Sequence, residues 1–253
     1  MGKKKIYFVS DFHLGIPDYA GSLKREKLLV KWLENIRADA AEIFLMGDIF
    51  DFWFEYKTVV PKGFVRLLGK LAEIADTGIP VHLFRGNHDL WAFDYLEKEI
   101  GIKLHRKPVI RKIFDKTFYL AHGDGLGPGD RQYKFLKAVF EFQPHQFLFR
   151  WLHPDVGAWM GNYFSRRSRL AKMSQSGKEE VSFDKEQEML FLYAEKKIRE
   201  YPDIDYFVFG HRHRPVMTKI NEKSTLVIIG DWISFFSYGV FDGKTFRIER
   251  FQG

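Results

Sequence analysis

Short apolar runs without polar alternation recur along the chain at residues 6–9 (IYFV), 43–46 (IFLM), 81–84 (VHLF), 118–121 (FYLA) and 206–209 (YFVF). Strands covered on both faces leave this signature. Between the first three runs the period lengthens. Leu28, Leu29, Trp32, Leu33 and Ile36 share one helical face, as do Phe64, Leu67, Leu68, Leu71, Ala72 and Ala75. The start of the chain therefore predicts β-α-β-α-β with a parallel sheet.

Downstream, residues 109–114 and 117–121 flank Asp115-Lys116 and predict a hairpin, and Asp242-Gly243 predicts another between strands at 235–241 and 246–251. A further strand is expected at 225–229. Two sheets follow, one mixed and one richer in antiparallel pairs. From about 130 to 200 the period is helical, which predicts an insert within a single α/β domain spanning residues 1–253. No repeat, low-complexity tract or linker divides the chain.

The polar residues that end these runs are unlike core residues: Asp11-Phe12-His13, Gly47-Asp48-Ile49-Phe50-Asp51, Gly86-Asn87-His88-Asp89, His122-Gly123-Asp124 and Gly210-His211-Arg212-His213. In open α/β sheets the carboxyl ends of strands converge on ligands, so these five loops are expected to meet. Any one of them could be an ordinary turn or a satisfied histidine. Five together are costly to desolvate unless divalent cations balance them. Asp11, His13, Asp48, Asn87, His122, His211 and His213 supply oxygen and imidazole donors sufficient for two ions. Such donors suit Mn²⁺, with Fe and Zn as the other candidates. The chain has no cysteine, which removes thiolate metal sites, disulfides and cysteine nucleophiles. The expected chemistry is hydrolysis of a phosphoester or phosphoanhydride.

With 40 Lys and Arg against 33 Asp and Glu, the formal charge of +7 favours an anionic partner. No apolar run approaches the roughly 20 residues of a membrane span, and the first residues lack a signal-peptide core.

The motifs D-x-H, G-D-x-x-D, G-N-H-D, H-G-D and G-H-x-H resemble those of the calcineurin-like metallophosphoesterases along essentially the whole chain. That resemblance implies a four-layer α/β/β/α sandwich with a dinuclear centre. It places Asp11, His13, Asp48 and His213 on one metal, and Asp48, Asn87, His122 and His211 on the other. It also implies that His88 contacts the scissile phosphate and protonates the leaving group, oriented by Asp89. A narrower resemblance, carried by residues 10–14, Gly47 to Asp51, the 122–124 block with Asp130 and Tyr133, the insert and residues 210–215, is to the UDP-2,3-diacylglucosamine pyrophosphatases of lipid A biosynthesis. Where members of that family carry Arg, this chain has His88.

The insert holds Tyr133, Phe135, Phe140, Phe142, Phe147, Phe149, Trp151, Trp159, Tyr163 and Phe164, followed by Arg166, Arg167, Arg169 and Lys172. Helical spacing predicts that about half of the aromatics are core. The rest, edged by cations, fit an acyl-chain groove for an amphiphilic diphosphate. The resemblance implies substrate contacts at His88, Asp130 and Ser168; Arg167, Arg169 and Lys172 of the basic cluster, with Asn87 and His211, complete the expected substrate-binding set. The expected substrate is a UDP-linked acylated glucosamine, met on the cytoplasmic side of the inner membrane by a peripheral protein. The competing readings are a nucleotide phosphodiesterase or nuclease, and a scaffold without activity. The insert argues against nucleic acid, because a nucleic-acid channel spreads Lys and Arg along its groove. The full donor set argues against a scaffold.

Overall fold

The computed structural model describes residues 5–129, 131–176 and 184–253, and only the backbone of residues 166–176. In chain order the elements are β1 (Lys5–Val9), α1 (Tyr19–Ile36), β2 (Ala40–Leu45), α2 (Val65–Asp76), β3 (Val81–Phe84), α3 (Tyr95–Lys98), β4 (Lys103–His105), β5 (Val109–Ile113) and β6 (Lys116–Leu120). They continue as α4 (Arg131–Glu141), α5 (Gln143–Phe149), α6 (Pro154–Ser176), α7 (Met189–Glu200), β7 (Tyr206–Phe209), β8 (Val216–Lys219), β9 (Thr225–Ile228), β10 (Ser237–Phe241) and β11 (Phe246–Arg250).

The strands form one sheet ordered β11-β10-β1-β2-β3-β4 and a second ordered β5-β6-β7-β9-β8. Both are mixed, and the second has the larger antiparallel share, as expected. In the first, β1 to β4 run parallel and the β10-β11 hairpin lies antiparallel along β1. In the second, parallel pairs β6-β7 and β7-β9 are flanked by antiparallel β5 and β8. The short edge strands β4 and β8 have no apolar run and were not expected.

Three apolar layers hold four layers of structure together. The alternation of a strand sends Tyr7 and Val9 to one side, where α1 and α2 supply Leu29, Trp32, Leu33, Leu67, Leu71 and Ile74. Ile6 and Phe8 go to the other side, where Phe44, Met46 and Phe84 meet Phe118, Leu120, Val208 and Val227 of the second sheet. Phe8 stacks on Phe44 at 5.1 Å and on Phe118 at 5.8 Å. Beyond the second sheet, Leu190, Phe191 and Ala194 of α7 cover Phe207, Phe209, Leu226 and Ile228. The result is an α/β/β/α sandwich. Although α7 falls within the stretch expected as an insert, it forms the outer layer of the sandwich.

Among the described residues, helices α4 to α6 contribute none to these three layers, and they form a cap. Contrary to the expectation that half its aromatics are core, none of the ten is buried; Tyr133 and Phe149 are half-buried and the others exposed. Helical periodicity marks a face that can pack, and here most of that face has no layer beneath it. The cap is anchored locally: Trp91 Nε1 donates to the Phe140 carbonyl at 2.9 Å, and Phe149 packs on Phe54 and Trp91 at 4.6 and 4.7 Å. No helix is long and apolar enough to cross a membrane, among the described residues.

Candidate metal centre

The loops leaving β1, β2, β3, β6 and β7 meet at one edge of the sandwich. Donor atoms of Asp11, His13 and His213 lie within 4.8 Å of one another, as do those of Asp48, His122 and His211. His13 Nε2 lies 3.7 Å from both Asp11 Oδ1 and Asp48 Oδ2, which brings the two groups side by side. A third group of the same compactness joins His13, Asp51 and His88.

Backbone shape delivers these side chains. Eight described non-glycine residues have left-handed φ, and five of them are Asp11, His13, Asp48, His211 and His213. Such conformations cost roughly 1–2 kcal/mol each for ordinary residues and gather where a site demands them. The surrounding structure holds them. Trp232 donates its backbone N–H to the Asp11 carbonyl at 3.2 Å, and the buried Arg25 donates through Nη2 to the carbonyls of His13 and Ile16 at 2.8 and 2.6 Å. At Gly86 any β-carbon would run into the Asp48 carboxylate, so only glycine lets that close approach occur.

The charges are strongly coupled. Burial pushes the Asp11 carboxyl up, but His213 and His13 more than offset this and hold it well below the usual carboxylate range. Asp48 is held low in the same way, with His122 and His88 outweighing burial. His122 is driven up to about 10 because Asp48 overcomes the effect of burial, whereas burial and the neighbouring His122 push His211 down to about 3. Asp89 rises to about 7 through burial and the charge of Asp48.

The donor set fits divalent cations. Asp11 Oδ1, Asn87 Oδ1 and His122 Nε2 are buried with no hydrogen-bond partner among the described residues, an arrangement that a bound cation relieves. His122 Nδ1 donates to the Met46 carbonyl at 2.8 Å, which leaves Nε2, 3.3 Å from Asp48 Oδ2, as the nitrogen that faces the cluster.

Asp89 commits both carboxylate oxygens to backbone. Its carboxylate accepts from the backbone N–H groups of Gly86 and Ile49 at 2.6 and 2.8 Å and fixes the β3 loop against the β2 loop. Asp51 meets the His88 ring: His88 Nδ1 donates to its carbonyl at 2.8 Å, with Asp51 Oδ1 at 3.7 Å. Asp130 lies outside the described residues. Arg167, Ser168, Arg169 and Lys172 lie on the described backbone of α6, and their side chains lie outside it.

Four further residues shape the site. Arg25 braces the His13 loop, and Asp51 also lies 3.5 Å from His13 Nδ1. Ser165 of α6 reaches both Asp51 and His88. Asp231 Oδ2 lies 3.4 Å from His213 Nδ1, while its Oδ1 accepts from the N–H groups of Ile233, Ser234 and Phe235. Asp231 carries the same Gly-Asp signal as Asp48, at the end of β9.

Beside this centre lies a groove of about 630 Å³, lined by Leu14, Gly15, Phe52, Phe54, Phe64, Trp159 and Tyr163 among others. It runs between the loop after β2 and α6.

The calcineurin-like phosphoesterase family model matches residues 4–215, and the chain belongs to that family. A Porphyromonas gingivalis protein named UDP-2,3-diacylglucosamine hydrolase is 38% identical over 99% of this chain and 98% of its own length. A Haemophilus influenzae protein of the same name is 26% identical, over 90% of this chain and 91% of its own. Among solved structures, the phosphoesterase Yfce from E. coli aligns over 97% of this chain and 92% of its own at 14% identity, with a TM-score of 0.47.

Proposed function

We propose that this protein hydrolyses the pyrophosphate bond of UDP-2,3-diacylglucosamine, releasing UMP and 2,3-diacylglucosamine 1-phosphate. The observation that carries this reading is the position of an apolar groove of about 630 Å³ beside two Asp/His groups, in a chain that resembles hydrolases of that name over its full length. In this reading Asp11, His13, Asp48 and His213 hold one ion, and Asp48, Asn87, His122 and His211 the other, with Mn²⁺ as the metal. Bound ions of this kind supply a nucleophile from water at neutral pH and balance the charge that develops on phosphorus. His88 presents Nε2 to the phosphate and the leaving oxygen, because its Nδ1 proton is committed to the Asp51 carbonyl. Arg167, Ser168, Arg169, Lys172 and Asp130 serve as substrate contacts, and Leu14, Phe52, Phe54, Trp159 and Tyr163 surround acyl chains.

The exposed side chains of the cap support peripheral attachment to an anionic bilayer. Phe135, Phe147, Leu148, Trp151, Trp159 and Phe164 are each more than half exposed, and an excess of +7 favours anionic headgroups. Purified protein loaded with Mn²⁺ is expected to release UMP from UDP-2,3-diacylglucosamine. Full metal loading without UMP release refutes the substrate.

A further inference from the structure

We propose that Ser165 is a positioning residue that ties docking of the cap to the orientation of the His88 ring. The inference rests on the reading of His88 as the residue facing phosphate. Ser165 is a buried residue of the cap helix α6. Its hydroxyl donates to Asp51 Oδ2 at 2.8 Å, and its oxygen stands 3.3 Å from His88 Nδ1. A serine has one proton to give, and here Asp51 takes it. The remaining lone pairs of Oγ, like the Asp51 carbonyl 2.8 Å away, can only accept from Nδ1. Two acceptors on one ring nitrogen fix the proton there and leave Nε2 for chemistry. The ring is also held perpendicular to His13, with centroids 4.7 Å apart.

The helix that carries Ser165 is keyed to its seat. Gly157, Gly161 and Ser165 recur every four residues and share one face. A β-carbon on Gly161 would run into the Phe52 ring, and one on Gly157 into the Tyr56 hydroxyl. Phe52 and Tyr56 belong to the loop that begins with Asp51, so the loop that holds His88 is also the surface on which α6 lies. Sliding α6 by one turn brings side chains where only glycine fits, and carries Ser165 about 5.4 Å away. Placement of the cap and orientation of His88 are thus one event.

The test compares Ser165→Ala, Ser165→Thr, Gly161→Ala and the double variant Gly161→Ala with Phe52→Ala, all in the full, Mn²⁺-loaded chain. Two substrates are used, UDP-2,3-diacylglucosamine and bis(4-nitrophenyl) phosphate, a small diester with no acyl chain. Ser165→Ala is expected to lower kcat roughly tenfold on both, the scale of one lost hydrogen bond, with KM changed less than twofold. Ser165→Thr keeps the hydroxyl and most of the turnover. Gly161→Ala lowers kcat on both substrates, and Phe52→Ala in the same chain restores it on the small diester, which does not use the groove that Phe52 lines. A role confined to cap packing would instead raise KM for the lipid and leave the small diester unaffected. Independently of turnover, ¹⁵N-edited NMR of the metal-free protein is expected to show the His88 proton on Nδ1 in the parent and shared between both ring nitrogens in Ser165→Ala. Unchanged kcat on the diester, or an unchanged His88 tautomer, in folded Ser165→Ala overturns the proposal. If the parent cleaves the diester and not the lipid nucleotide, the substrate reading fails and the test of Ser165 stands.

Discussion

Replacing Asp231 separates what holds the metal-site loop from what holds the metal. Its buried carboxylate does two jobs with two oxygens. Oδ1 accepts three backbone N–H bonds, from Ile233, Ser234 and Phe235 at 3.2, 2.9 and 3.0 Å, while Oδ2 faces His213 Nδ1 at 3.4 Å. With Nδ1–H directed at Asp231, His213 presents Nε2, which lies 3.5 Å from Asp11 Oδ1. Asp231→Ala strands all three N–H groups and should lower stability by about 2–4 kcal/mol, at roughly 1 kcal/mol or slightly more for each bond lost. Asp231→Asn keeps an acceptor for the backbone and should cost about 1 kcal/mol, the difference between a charged and a neutral acceptor. For metal the ranking changes. Asn meets Nδ1 with an amide that donates if its oxygen stays on the backbone, so both variants lose the partner that fixes the tautomer, and affinity should fall about 10- to 100-fold in each. Thermal denaturation of the metal-free protein reads the first effect and calorimetric titration with Mn²⁺ the second. If Asp231→Asn binds Mn²⁺ as tightly as the parent, His213 is not oriented by this carboxylate.

Two other predictions concern regions away from the ions. His105, pushed down to about 4 by burial and by the neighbouring His82, takes up its proton more readily when unfolded, so stability should hold above pH 7 and fall as pH drops through 6.5 toward 4. The loss should be on the order of 2–3 kcal/mol and should shrink in His105→Phe; denaturant melts at pH 7 and pH 4.5 measure it, and equal loss in both proteins would refute the assignment. The exposed Phe147 and Trp151 touch each other at 6.2 Å and belong to none of the core layers, so Phe147→Ser with Trp151→Ser should leave the melting temperature within a degree or two. The same double variant should weaken binding to vesicles containing phosphatidylglycerol about tenfold or more in a sedimentation assay, and unchanged vesicle binding would exclude this face as the bilayer contact.

The sequence discloses residues that sit immediately after a buried strand, because an apolar run and the polar residue that ends it are adjacent in both chain and space. Asp11, Asp48, His122 and His211 are of this kind. Adjacency says less at Asp89, where being next to His88 suggests an orienting role while the carboxylate is occupied by the N–H groups of Gly86 and Ile49. Asp51 stands in a motif visible in the sequence, but its attachment to His88 depends on how the loop after β2 turns back. Ser165 has no local signature at all. It reaches the site because α6 crosses a loop more than one hundred residues earlier in the chain, and only the small residues at 157 and 161 hint at the crossing. The aromatic surplus of the cap follows the same logic. A periodic stripe shows that a helix has an apolar face, while burial depends on whether another layer is there to receive it.

The way the centre is braced bears on how it binds ions. Five candidate ligands occupy left-handed backbone, which flexible loops would relax out of. Here Phe12, Phe50, Trp53 and Trp232, each almost wholly buried, anchor the same loops in the layer beneath α1 and α2. Phe12 meets Trp232 at 5.9 Å, and Trp232 meets Trp32 of α1 at 5.4 Å. Burial of side chains of this size contributes about 2–3 kcal/mol apiece, which outweighs roughly 1–2 kcal/mol of strain at each left-handed position. The phenylalanines and tryptophans interleaved with the donors therefore hold donor geometry through the core. On the proposed ligand set, ions would enter a site whose backbone is already ordered, and their binding free energy would go to relieving the repulsion of Asp11 and Asp48 and the unmet acceptors of Asp11 and Asn87.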